Sequence, residues 1–187
     1  DQADAVLLLP NAEEACPMGL APTTSTTMAM ALGDTLAVVL MERLGFTADD
    51  IKLRHPGGQL GKRLLKVSDI MHQGAVVPKT TGEILMSEVL PEMTSKSFGC
   101  IAIVDDGDHI LGVITDGDLR RRMADNILTL RADQVMTAGP RTIRPSALAS
   151  EALQVMNAAA ITNLFVAENN KIAGVIHIHD CLRAGVE

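Results

Sequence analysis

Three stretches of this chain carry residue types that could do chemistry. The first, R-H-P-G-G-Q-L-G from Arg54 to Gly61, sets His55 before Pro56, Gly57 and Gly58. Proline followed by two glycines breaks helix and strand, and an imidazole on backbone that permits close approach is where a small polar substrate could reach it. The second stretch, G-V-I-T-D-G-D from Gly112 to Asp118, ends an apolar run with Thr115, Asp116 and Asp118. A hydroxyl and free N–H groups at a helix start suit phosphate, and a carboxylate suits the vicinal hydroxyls of a ribose. Thr115 and Asp116 serve equally as N-cap residues, and the sequence leaves both readings open. The third stretch, G-V-I-H-I-H-D from Gly174 to Asp180, repeats the second with His177 in the place of Thr115 and Asp180 in the place of Asp118.

His177 and His179 stand two apart beside Asp180, and on a strand two such imidazoles would share a face. No metal site is expected from them: the strand ends there, and no further Cys or His repeats a ligand spacing, so a polar cleft rim is the reading taken. The basic run Arg120 to Arg122 reads as a solvated helix face or subunit interface, with a phosphate role as the alternative.

These stretches sit in a duplicated frame. M-S-E-V-L-P-E-M from Met86 to Met93 returns as A-S-E-A-L-Q-V-M from Ala149 to Met156, and V-S-D-I-M ending at Met71 returns as A-D-Q-V-M ending at Met136. Duplicated supersecondary units of this kind bury their apolar faces against each other. Hydrophobic periodicity and turn signals predict in the first unit a helix over 83–96, strands over 100–104 and 110–115 joined by the turn Asp105 to Asp108, and a helix over 116–125. In the second they predict a helix over 147–159, strands over 164–167 and 172–176 around the turn Glu168 to Lys171, and a helix over 179–184. Pro91 falls mid-helix where the second unit has Gln154, which predicts a kink or a break. Before the repeats, a buried strand is expected at Ala5 to Leu9, then a long helix capped within Thr23 to Thr27 and ended by Gly45, then a short turn over 48–53 opened by Thr47.

The bulk composition excludes several functions. The chain has 187 residues, 47% of them hydrophobic, and a formal net charge of −7. It needs neither disulfide nor metal to hold a core. An acidic chain with only three phenylalanines, no Trp and no Tyr has neither the basic surface nor the stacking platforms of a nucleic-acid binder. No apolar run approaches the ~18 residues of a membrane span, which points to a soluble protein. Cys16, Cys100 and Cys181 are odd in number and far apart, which fits a reducing, cytoplasmic setting. The chain opens without initiator Met or signal peptide, directly on an apolar run, as a domain entered part-way would.

Two such units ending in G-V-I-T-D-G-D and G-V-I-H-I-H-D resemble a tandem pair of cystathionine β-synthase (CBS) domains. That resemblance implies an α/β fold with two β-α-β-β-α repeats in pseudo-twofold arrangement, residues 66–126 and 127–187, and clefts for an adenine nucleotide or a related ligand. It matches Thr115 and Asp118 to the hydroxyl and ribose-binding aspartate of the first cleft, and Asp180 to the aspartate of the second. His177 stands where the family carries Ser or Thr. Residues 1–65, through E-A-C-P-M-G-L-A-P-T-T-S-T-T from Glu14 to Thr27 and H-P-G-G-Q-L-G from His55 to Gly61, resemble the C-terminal half of a sugar isomerase (SIS) domain. The two together are similar to the bacterial D-arabinose-5-phosphate isomerase family, over essentially the whole chain.

That family interconverts D-ribulose 5-phosphate and D-arabinose 5-phosphate on the way to Kdo, lipopolysaccharide and some capsules. Its aldose–ketose chemistry moves a proton through an enediol, and histidine is the side chain whose unperturbed pKa suits that work. The resemblance makes His55 the catalytic histidine, which by itself would read as a residue capping or packing a loop. It implies no catalytic cofactor, a regulatory adenine nucleotide or CMP-sugar in the CBS cleft, and a homo-oligomer: a CBS-mediated dimer and a tetramer at full length. The Ser-rich sugar-phosphate loop and further active-site residues of the family have no counterpart in residues 1–65, so this chain alone is expected to be inactive. The alternative is a nucleotide-sensing CBS module of another SIS isomerase or regulator.

Overall fold

The computed structural model describes residues 3–54, 58–122 and 126–186, leaving aside the side chains at positions 48, 49, 52, 59 and 60. His55 and Asp125 lie outside the described residues. The chain divides into two units, Asp1–Ile51 and Lys52–Glu187.

In the first unit the apolar run at Ala5 to Leu9 forms no strand, and Leu8 is 89% exposed. This corrects the expected buried strand. Extended backbone becomes a strand only where a neighbour pairs with it, and the described residues of this unit supply none. Helix α1 (Thr24–Arg43) does form. Glu14 supplies its cap from the preceding loop, its carboxylate accepting from Thr23 N at 2.6 Å, Thr23 Oγ1 at 2.9 Å and Ser25 N at 3.4 Å. The Ser25 and Thr23 hydrogen bonds hold the Glu14 carboxyl down at about 2. At the other end Gly45 takes φ +62°, and Phe46 N donates to Met41 O while Gly45 N donates to Glu42 O, a Schellman closure. Thr47 opens α2 (Ala48–Arg54), exchanging hydrogen bonds with the Asp50 side chain.

None of the described α1 side chains is buried. By length and composition alone the helix is long and apolar enough to cross a membrane, which corrects the expectation that no segment is. The sequence criterion counted uninterrupted apolar residues, and Gly33, Asp34 and Thr35 break that count without making the whole helix polar.

In the second unit the leading helices α3 (Gln59–Arg63) and α4 (Val67–Ile70) precede β1 (Lys79–Thr81), α5 (Met86–Lys96), β2 (Cys100–Val104), β3 (Ile110–Thr115) and α6 (Asp116–Arg121). The same order follows in α7 (Ala132–Val135), β4 (Thr137–Ala138), β5 (Thr142–Ile143), α8 (Ala149–Ala159), β6 (Asn163–Glu168), β7 (Lys171–His177) and α9 (Ile178–Arg183). Helix α5 runs unbroken through Pro91. The proline is exposed, so the Ser87 carbonyl that loses its donor faces water rather than the core.

One sheet has the order β1-β2-β3-β4 and the other β5-β6-β7, with the first pair of each parallel and the rest antiparallel. All of β2 is buried, because its alternate residues face different partners. Ile101 and Ile103 pack with Met86, Val89 and Met93 of α5, while Cys100, Ala102 and Val104 pack with Phe165, Ala167 and Val175 of the other sheet. The two sheets therefore stand back to back with helices outside.

The leader of each repeat joins the other repeat. Strand β4, at the head of the second repeat, pairs with β3 of the first. His72, at the head of the first, bridges Val175 of β7. Likewise Val67 N of α4 donates to Ala147 O before α8, and Ala132 N of α7 donates to Ile84 O before α5. The hairpin turns also tie reciprocally, Ile110 N to Asn170 O and Ile172 N to Asp108 O, each 2.9 Å.

This crossing demands glycine at two places. A Cβ on Gly174 would sit 2.6 Å from His72 O, and one on Gly112 would sit 2.5 Å from the Met136 sulfur. Backbone cannot yield, whereas a thioether can swing aside. Gly174→Ala is therefore expected to destabilise this unit by about 1–3 kcal/mol, the overpacking range, and Gly112→Ala by less. Urea unfolding measures both, and equal midpoints for wild type and Gly174→Ala would contradict the crossing.

Candidate functional site

The hairpin that ends each repeat turns directly into a short helix, and the turn is held by a carboxylate. In the first repeat Thr115 ends β3 in extended conformation and caps α6. Asp118 accepts from Thr115 N at 2.9 Å and from Thr115 Oγ1 at 2.6 Å, and its other oxygen accepts from Arg121 and, at 3.2 Å, from Thr137 Oγ1 of β4. In the second repeat Asp180 accepts from His177 N at 2.9 Å, from Arg183 at 2.9 Å and from His72 Nε2 at 3.1 Å. Both carboxylates are buried, at 7% and 9% exposure. Among the described residues no buried side-chain polar atom lacks a partner.

Burial pushes the Asp118 carboxyl up, and the hydrogen bonds from Thr115, Arg121 and Thr137 more than reverse it, leaving its pKa below the ordinary value. Asp180 follows the same balance, with the His177 backbone and His72 as the opposing donors. Burial and the neighbouring His179 push the His177 pKa down.

Between the two repeats lies a cavity of about 760 Å³, and Thr115 and His177 line the same one. Asp118 and Asp180 are not on its wall. The structure thus brings the two strand-end residues to one cleft and places both aspartates behind them as internal braces. Phe98 and Phe165 contribute apolar wall, and Asn163, also on the wall, donates its side-chain N–H to Phe98 O. Cys100 lines the cavity too, its thiol pushed up to about 12 by burial and by the charge of Asp116, so it is no nucleophile at neutral pH. Arg121 and Arg122 are occupied, by Asp118 and by Gln134 O, while Arg120 lies on the cavity wall. Arg120 is exposed, as the solvated-face reading expects, and it also borders the cavity.

His177 ends β7 and His179 belongs to α9, so the two are not on one strand face. Their rings are 4.9 Å apart, and His177 Nδ1 accepts from His179 N. Among the described residues no group of three or more His, Cys, Asp or Glu side chains could hold a metal ion.

Sequence reasoning missed His72, Thr137 and Arg141. The signal was present: carrying V-S-D-I-M and A-D-Q-V-M one residue further aligns His72 with Thr137, the two side chains that reach across to the opposite repeat's aspartate.

The sequence profile of the CBS domain matches residues 67–125 and 132–187. The chain belongs to the CBS-domain family. This CBS pair resembles in fold CBSX2 in complex with AMP, with a TM-score of 0.57 and 19% identity over 65% of this chain and 96% of that one. It also resembles the CBS domain pair of protein MJ0100 in complex with 5′-methylthioadenosine and S-adenosyl-L-methionine, with a TM-score of 0.57 and 20% identity over 64% and 94% of the two chains. In sequence the chain is 47% identical over 187 residues to the arabinose 5-phosphate isomerase KdsD of Escherichia coli K12, covering 98% of this chain and 57% of the relative. It is 44% identical to KdsD of Pseudomonas aeruginosa, over 93% and 55%. The chain therefore spans a little over half the length of these relatives, and its likeness to them includes the part that precedes the CBS pair.

The lowered pKa values of Asp118 and Asp180 carry a consequence for stability. An unfolded aspartate titrates near ~3.9; the folded carboxyls release their protons more readily, so their contribution is complete above that pH and is lost as pH falls below it. Urea unfolding between pH 6 and pH 3 is expected to show wild-type stability falling on the acid side, with a shallower fall in Asp118→Asn and Asp180→Asn. Parallel pH profiles for wild type and both variants would contradict this account.

Proposed function

We propose that this chain is the regulatory CBS pair, with the adjoining half of the sugar isomerase domain in residues 1–65, of an enzyme that interconverts D-ribulose 5-phosphate and D-arabinose 5-phosphate for Kdo synthesis. The observation that carries the reading is the 47% identity to E. coli KdsD across 98% of this chain, since the match runs through His55 as well as the repeats. In this reading the repeats are residues 66–126 and 127–187, and the enzyme is a cytoplasmic oligomer. Helix α1 is then an interior helix of the sugar isomerase domain, and its apolar surface is covered by the rest of that domain.

The reaction needs no cofactor. A base removes a proton beside the carbonyl, an enediol forms, and the proton returns at the neighbouring carbon. His55 is the histidine of this chain assigned to that transfer, imidazole having a suitable protonation range, and the glycines after it allow a sugar phosphate to approach. The 187-residue chain alone is expected not to isomerise D-ribulose 5-phosphate in a coupled assay. Joined in register behind the part of E. coli KdsD that it does not match, it is expected to support turnover, and His55→Ala in that chimera to lower the rate by about 10²–10⁴-fold. A folded chimera without activity, or one indifferent to His55→Ala, would overturn the catalytic assignment.

The inter-repeat cavity is the site proposed for a regulatory nucleotide. Its volume falls within the range typical of small-molecule sites, and similarly folded CBS pairs are described in complex with AMP and with S-adenosyl-L-methionine. Calorimetric titration of the chain with AMP, ATP and a CMP-sugar is expected to give saturable heat with at least one of them. No heat with any of the three would remove the nucleotide reading.

A further inference from the structure

The inter-repeat cavity carries two cations that the fold does not use. Arg120 of α6 and Arg141 ahead of β5 both line it, one from each repeat, and among the described residues neither side chain has a hydrogen bond or ion pair. Their neighbours in sequence are different: Arg121 is held by Asp118, Arg122 by Gln134 O, and Arg144 lies 3.9 Å from Glu151. Arginines without a partner among the described residues, lining one concave site from different repeats, leave their planar forks free for an oxyanion. Asp116 also lines the cavity, and it opposes them with a single charge.

The pseudo-twofold relation makes the comparison sharper. Aligning G-V-I-T-D-G-D with G-V-I-H-I-H-D sets Arg120 opposite Leu182, while Arg121 and Arg183 both bind their own repeat's aspartate. Arg141 lies just after Gly139, whose φ of +63° matches the +68° of Gly74 in the first repeat. The residues that follow Gly74 are Ala75, Val76, Val77 and Pro78, so whichever of them is the counterpart of Arg141, it is not a cation. The duplication has kept the bracing arginines in both copies and placed the free ones in a single cleft.

Building on the nucleotide reading above, we infer that the cavity lined by Thr115 and His177 is an anion-selective site, in which Arg120 and Arg141 clamp the phosphate of a nucleotide. One phosphorylated ligand binds per chain, and the repeats are brought together on it because each supplies one arm of the clamp.

The test uses the 187-residue chain and five probes in calorimetric titration: AMP and adenosine, CMP and cytidine, and inorganic pyrophosphate as an anion without a base. The nucleotide of at least one pair is expected to bind one per chain, with its nucleoside roughly tenfold weaker or more, the scale of a lost charge-assisted hydrogen bond. Arg120→Gln and Arg141→Gln are each expected to remove most of that difference while leaving nucleoside affinity unchanged. Both side chains are exposed, so the variants should retain the wild-type circular dichroism and urea midpoint. A nucleotide and nucleoside that bind alike, glutamine variants that bind as wild type, or two equivalent sites per chain would each overturn the clamp and leave the nucleotide reading standing. Pyrophosphate binding that both glutamine variants abolish, with no nucleotide bound, would support the clamp and remove the nucleotide reading. No heat with any probe would overturn both.

Discussion

The close crossing of each repeat's leading segment over the other repeat's last strand is the constraint on which the CBS pair depends. At Gly174 the His72 carbonyl comes so near that no side chain fits between them, and at Gly112 the Met136 side chain and the Thr137 backbone do the same. Neither repeat closes its own structure. The first sheet takes β4 from the second repeat, and Val67, from the first repeat's leader, sits in the hydrophobic cluster of the second. A β-α-β-β-α unit of this size buries too little surface to be stable alone, and the crossing makes the two cores one cooperative body.

The same crossing places the buried charges. Asp118 and Asp180 would be costly beneath the surface if each had only its own helix cap for partners. Thr137 and His72 arrive from the opposite repeat and complete their shells. The carboxylates are thereby committed to holding strand, cap and leader together, and the cavity wall is left to Thr115, His177 and the uncommitted arginines. Bracing and cavity-lining positions are thus divided between residues three apart on one short turn.

Unit Asp1–Ile51 illustrates the opposite situation. Helix α1 has what local chemistry can supply: Glu14 at its start, a Schellman turn at its end, and twenty residues between. Its apolar residues remain uncovered within this unit because a helix and the surface it packs against are specified separately. The run at Ala5 to Leu9 lacks even the local terms, since a strand is made by its neighbours.

Strands β2 and β3, both repeats' helices and their order were legible in the sequence, because alternation, helical spacing and turn residues act over a few positions. So was the pairing of Thr115 with His177, through the duplicated motif. That Asp118 also binds Thr137 and Arg121 was not legible in the sequence, because Thr137 reaches it from the other repeat. The crossing of the leaders, the meeting of Thr115 and His177 in one cavity, and the isolation of Arg120 and Arg141 were decided by tertiary structure alone. Local sequence determined which residues stand at strand ends and helix starts. Which of them face a partner and which face the cleft depended on a repeat more than sixty residues away (180 − 118 for the two aspartates), brought into contact by burial of apolar surface that carries no directional information of its own.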